Sequence, residues 1–164
     1  MRFVWLLIGL IVMLAPAMAD EIFPAGCVPV EVHEELVKLT TGKPALVMIH
    51  NLSNLDLWIT HPLSEPNASA GWSSRLQSGH WSALALDKKA FDLSCIESRP
   101  GHEQQVPCAG LLSVCQWLNV ELSNKVQGAS GTFWAGEDLP LSALIAHVGS
   151  RGFKVPSSRQ SMID

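Results

Sequence analysis

Four cysteines, Cys27, Cys95, Cys108 and Cys115, limit what this chain can fold into more than any other residues. An even set of thiols in a secreted chain reads as two disulfides, with the connectivity left open by the count alone. Local sequence favours Cys95–Cys108 with Cys27–Cys115. Pro100-Gly101-His102 is a turn signal, and a hairpin folded about Gly101-His102 sets residue 95 opposite residue 108. The second bridge then ties the N-terminal segment to the core across a long loop, worth about 4 kcal/mol in the chain-entropy model. A zinc site asks for tight Cys-x-x-Cys or His pairs, which these spacings do not supply.

The oxidising setting is read from the N-terminus. Met1-Arg2 is a short positive start, Phe3 to Ala15 is apolar, and Ala17-Met18-Ala19 supplies the small-x-small pattern before Asp20-Glu21. This is the pattern of a secretory signal peptide over residues 1–19, cleaved after Ala19, and it predicts a periplasmic or secreted protein. The apolar run is shorter than the roughly 20 residues a membrane span takes. Pro24-Ala25-Gly26-Cys27 has the small-residue tail of a lipobox. Yet Asp20-Glu21 interrupts the apolar run before it, Pro24 stands where an aliphatic residue belongs, and lipidated Cys27 would leave an odd thiol.

Residues 20–154 are one domain's worth of chain, and residues 155–164 read as a polar, disordered tail. The full chain carries a formal charge of −4, and cleavage removes Arg2 but no acidic residue. A mildly acidic chain without a basic cluster argues against nucleic acid and against electrostatic docking on anionic lipid. No second apolar run reaches membrane length.

Apolar alternation then decides the fold class. Val28, Val30 and Val32 alternate with polar partners, and Glu34 to Leu39 is ambiguous between strand and helical turn. Ala45 to Ile49 is a continuous apolar run typical of a central strand. Leu55, Leu57 and Ile59 share one face of another strand, and the two runs read together as a hairpin. Pro62 to Gly71 is loop-like. Trp81, Ala83 and Ala85 alternate with Ser82, Leu84 and Leu86, and Phe91–Glu97 and Gln105–Trp117 carry cysteines. Val120–Leu122 and Thr132–Trp134 read as short strands. Asp138 is placed to cap one helix, with Pro140 in its first turn and Leu141, Leu144, Ile145 and Val148 on one face. Gly149 or Gly152 ends it. The sum predicts an all-β, disulfide-stapled β-sandwich with one C-terminal helix, and a small α+β domain as the alternative.

Chemistry is less legible. His50, His61 and His80 are the metal-ligand candidates if there is a metal, and His50 and His61 flank the expected hairpin. There is no His-x-His and no i, i+4 pair on the helix, and a blue-copper site would need an unpaired Cys thiolate, so no metal and no cofactor is expected. No Gly-x-Ser-x-Gly elbow occurs, and Ser82, His80 and Asp87 are a trio of the kind any chain this size offers. The sequence leans away from an enzyme and assigns no catalytic residue. Asn51-Leu52-Ser53 and Asn67-Ala68-Ser69 match a glycosylation acceptor, a motif better explained as loop chemistry. Tryptophans carry more weight. Trp58 is out of phase with Leu57 and Ile59, Trp72 follows a polar loop, and Trp81 begins a strand. Exposed indoles on a sandwich stack on sugar rings or anchor a protein, so Trp58, Trp72 and Trp81 are the candidate contact residues.

The run from Ile49 through His50-Asn51-Leu52-Ser53-Asn54 and Leu57-Trp58-Ile59-Thr60-His61-Pro62, with Gly71-Trp72-Ser73 and Gly79-His80-Trp81-Ser82, resembles the enhanced-entry protein B family of intracellular bacterial pathogens. Leu93-Ser94-Cys95 and Val114-Cys115-Gln116 extend the likeness, which covers roughly residues 45–145. The resemblance implies a Gram-negative periplasmic or surface protein from a locus linked to host-cell entry and virulence, and it brings no catalytic residues. The expected function is thus non-enzymatic binding to another envelope protein, a cell-wall component or a host surface. A small periplasmic metal binder or hydrolase is the alternative.

Overall fold

The computed structural model describes residues 23–61, 73–87, 90–120 and 132–156. Among the described residues, ten strands and one helix follow in chain order: β1 (Val28–Val30), β2 (Val37–Thr40), β3 (Ala45–Asn51), β4 (Leu57–Thr60), β5 (Ser73–Leu76), β6 (Trp81–Leu86), β7 (Ala90–Glu97), β8 (Gln105–Val106), β9 (Leu112–Leu118), β10 (Phe133–Leu139) and α1 (Leu141–Ser150). They form two antiparallel sheets. Sheet I runs β1-β9-β3-β6-β10, and sheet II runs β2-β7-β4-β5 with β8 also on β7. The fold is the expected disulfide-stapled all-β arrangement with a C-terminal helix.

Strand alternation builds two cores from sheet I. Val47 and Ile49 of β3, Leu84 and Leu86 of β6, and Leu112 and Val114 of β9 point inward at Leu57, Ile59, Leu93 and Phe91 of sheet II. The intervening residues, Leu46, Met48, Ala83, Ala85, Cys115 and Trp117, point outward and meet Leu144, Val148 and Phe153. This is why Ala45–Ile49 is an unbroken apolar run: β3 is central and covered on both faces. Each fully buried aliphatic side chain contributes about 1.5–3 kcal/mol of transfer free energy.

Helix α1 seats on sheet I because the sheet is thin there. Ala83, Ala85, Ala135 and Gly136 leave room for Leu144, and a methyl group on Gly136 would collide with Leu144 Cδ1 and press on His147. Gly136→Ala is therefore expected to destabilise by about 1–3 kcal/mol through overpacking, as read from a urea titration. Unchanged stability would show that α1 is free to shift off the sheet.

Both bridges have the expected partners. Cys27–Cys115 and Cys95–Cys108 each have Cα atoms 5.5 Å apart. The β7–β8 hairpin sets Cys95 opposite Val106, with Cys108 just beyond it. With Cys27 held in a disulfide, the lipobox reading is excluded.

Several local expectations are corrected. The runs 45–49 and 55–59 are not a hairpin, since β3 belongs to sheet I and β4 to sheet II. Asn51 makes the crossing. Its buried amide donates to Leu55 O at 2.7 Å and Leu76 O at 3.0 Å, so it is no glycosylation acceptor. The ambiguity over Glu34–Leu39 resolves as a bend at Glu34–Glu35 leading into strand β2. The short strand expected over Thr132–Trp134 begins at Phe133 and runs on to Leu139. Asp138 does not cap α1; it lies in β10, and the residue preceding the helix is Pro140, with no side-chain cap. The helix ends at Ser150 with Gly152 at φ 93° beyond it, and Val155 still packs on the outer core. Packing on the outer core therefore extends to Val155, one residue past the expected end of the domain. The expected signal peptide over residues 1–19, Trp72, Asn67 and residues 157–164 lie outside the described residues.

Candidate functional site

The two outer surfaces of the sandwich differ. Sheet I is closed on its outer side by α1 and the following residues, whereas no described helix or strand lies over the outer face of sheet II, where Lys38, Thr40, Ser73, Arg75 and Gln105 are exposed and Ser94 is buried. Trp58 stands on that bare face because Leu57 and Ile59, its neighbours in β4, point into the core at 0% exposure. Its cross-strand neighbours are Arg75 of β5 and Ile96 of β7, and Ile96 is paired in turn with Gln105 of β8. One residue pair along, Ser73, Thr60 and Ser94 form the next row, in which the Thr60 and Ser94 hydroxyls lie 2.8 Å apart. Arg75 donates to Asp56 Oδ2 at 2.7 Å. Trp58 is half-buried, so its ring is supported by the sheet and not loose in solvent.

Trp81 is corrected as a contact candidate. It is 4% exposed, in the outer core, with its ring stacked on His50 at 4.2 Å and 5°. Its place in β6 gives it the phase of Ala83 and Ala85, the side that α1 covers. Trp72 lies outside the described residues, so Trp58 is the one candidate tryptophan placed on an open face.

The three histidines separate instead of converging. His50 is on sheet I against Trp81. His61 follows β4 in sheet II, where it stacks on Phe91 at 4.1 Å and its Nδ1 lies 2.6 Å from Asp92 O. His80 sits in the β5–β6 turn with Nδ1 3.0 Å from Asp138 Oδ1. Among the described residues no group of three or more His, Cys, Asp or Glu is arranged to hold a metal ion.

The Ser82, His80 and Asp87 trio is not formed. Asp87 accepts from Thr132 Oγ1 at 2.8 Å, and Asp138 takes its place beside His80. Ser82 is fully buried, accepts from Asp138 N at 3.1 Å and lies 3.2 Å from Ser74 Oγ. Its hydroxyl thus serves the backbone and a second serine, with no bond to the imidazole. A relay needs the nucleophile in hydrogen-bond reach of the base. What forms here is a clasp. Asp138, at φ 50° in an irregular stretch of β10, accepts from Gln77 N and Gln77 Nε2 at 2.8 Å each as well as meeting His80. Burial raises the Asp138 pKa, but the hydrogen bonds from Gln77 and from His80 outweigh it and hold the carboxyl below its ordinary value of 3.8. The clasp joins β10, an edge of sheet I, to the turn after β5, an edge of sheet II.

Sequence reasoning missed Asp138 because its side chain reaches a residue 61 positions away. Arg75, Ile96 and Gln105 were equally silent, since only pairing register sets them beside Trp58. No protein-family model, no curated protein and no solved structure matches this chain, so its function is argued from these residues.

Proposed function

We propose that this chain is an extracytoplasmic, non-enzymatic binding domain that engages its partner with the outer face of sheet II, around Trp58. The observation that carries the reading is the asymmetry of the sandwich: one outer face is buried under α1, and the other is bare among the described residues with a supported indole near its middle. A half-buried tryptophan loses little rotamer freedom on binding, which makes it an efficient anchor. Two disulfides fit a setting outside the cytoplasm, and among the described residues no helix is long and apolar enough to cross a membrane. The signal-peptide pattern and the resemblance of residues 45–145 support a Gram-negative envelope protein whose partner is an envelope component or a host surface.

The test is retention by isolated cell envelopes. Wild-type protein is expected to co-sediment with them, and Trp58→Ala to do so about tenfold more weakly while remaining folded, with a modest loss of thermal stability from the packing its half-buried ring gives up. His80→Ala, on the clasp, is expected to leave retention as it was. Equal retention of wild type and Trp58→Ala would sink the reading.

A further inference from the structure

We infer that the outer face of sheet II takes an uncharged, β-linked pyranose chain, with Trp58 as the stacking platform; this rests on the reading of that face as the binding surface. The row Arg75–Trp58–Ile96–Gln105 crosses four strands in register, about 14 Å from end to end at the usual strand spacing. That length suits an extended ligand lying across the strands.

The neighbours of the indole say what kind of ligand. A protein hot spot is an aromatic ringed by surface that sheds water. Here only Ile96 is apolar, while Arg75, Thr60 and Gln105 offer a planar guanidinium, a hydroxyl and a carboxamide. These groups suit a ligand with hydroxyls all round its edge and an apolar flat side. A pyranose with equatorial substituents has that form: its axial C–H groups face the electron-rich indole, and its hydroxyls point sideways to the polar neighbours.

Charge selects further. Arg75 is neutralised by Asp56 at 2.7 Å, and Lys38 of β2 stands opposite Asp92 of β7 in register. Among the described residues, the charged side chains of this face thus come as neighbours of opposite sign and form no run of one sign to draw a polyanion or a polycation, and an uncharged chain is the matching partner. β-1,4 linkages between equatorial positions keep successive rings in one flat ribbon, which can follow the row, whereas α-1,4-linked chains coil away from it.

The experiment is calorimetric titration of the purified, disulfide-intact protein with chitohexaose and, as the α-linked control, maltohexaose. Chitohexaose is expected to bind and maltohexaose not. Trp58→Ala is expected to weaken chitohexaose by about tenfold or more, and the double variant Arg75→Ala with Gln105→Ala to weaken it by a smaller factor while keeping the stacking platform. Absence of chitohexaose binding, equal binding of both sugars, or binding unchanged in Trp58→Ala would each overturn the inference. If Trp58→Ala also lost envelope retention while chitohexaose failed to bind, the saccharide would fall and the face would stand. If retention too were unchanged, both would fall.

Discussion

Replacing Cys27 and Cys115 together by alanine is expected to lower stability by about 4–5 kcal/mol, against about 3 kcal/mol of chain entropy for the pair Cys95 and Cys108. The difference comes from loop length, a sequence separation of 88 for the first bridge and 13 for the second. The longer loop holds most of the domain, so cross-linking it removes more freedom from the unfolded chain. The folded state loses something as well. Cys27 fastens the segment that carries β1, which among the described residues is paired only with β9, and which also holds Trp117 through the bond from its Nε1 to Ala25 O at 3.0 Å. Cys95 and Cys108 are both fully buried between the sheets, so their removal adds a cavity cost that narrows the gap. Urea titrations of the two double variants, kept oxidised, measure both values. A Cys27/Cys115 variant as stable as the wild type would show that this bridge does not form.

Asp138→Ala is expected to cost about 2–4 kcal/mol, because the carboxylate accepts several hydrogen bonds that alanine leaves unmade. Gln77 is exposed, so water recovers part of the loss. The change also forces alanine into a left-handed backbone conformation, at φ 50°, that aspartate and asparagine tolerate better. Asp138→Asn keeps that tolerance and an acceptor for Gln77 N–H, so it is expected to cost less. The pH dependence has a definite sign. A carboxyl whose pKa is lower folded than unfolded adds stability above its unfolded value and gives it up as pH falls through the folded one. For Asp138 that loss begins below 3.8. The stability advantage of wild type over Asp138→Ala should be full at neutral pH and shrink as acid is added below that value. An advantage that grew in acid would show that the carboxylate is not held by the clasp.

How much of this was readable in advance follows from the range of each interaction. Trp58 could be placed on an outer face because alternation with Leu57 and Ile59 is a local property of a strand. Trp81 could not, although the same alternation was visible around it. In a sheet covered on both sides each phase is inside, and the cover over Trp81 comes from α1, some 60 residues on. The apparent hairpin between Ala45–Ile49 and Leu55–Ile59 failed for a related reason. A short polar loop turns a chain back equally well within one sheet or across to the facing one, and the buried amide of Asn51, bonded to Leu55 O and Leu76 O, settles it here.

Asp138 marks the boundary most clearly. Before Pro140 and an amphipathic run, a carboxylate is in the ordinary place for a helix cap. The nearby strand edge offered it Gln77 and His80, and that set of bonds held it in β10 instead. The sequence by itself determined the strand-rich class, the turn-bounded pairing of Cys95 with Cys108 and the apolar face of α1, because each depends on residue phase or on short spacing; Cys27 and Cys115, 88 residues apart, were paired only by leaving the other two together. Only the tertiary structure decided which sheet face stayed bare, which tryptophan stood on it and which residues became its neighbours. Those outcomes depend on pairing register and layer order, set by burial summed over segments far apart in the chain.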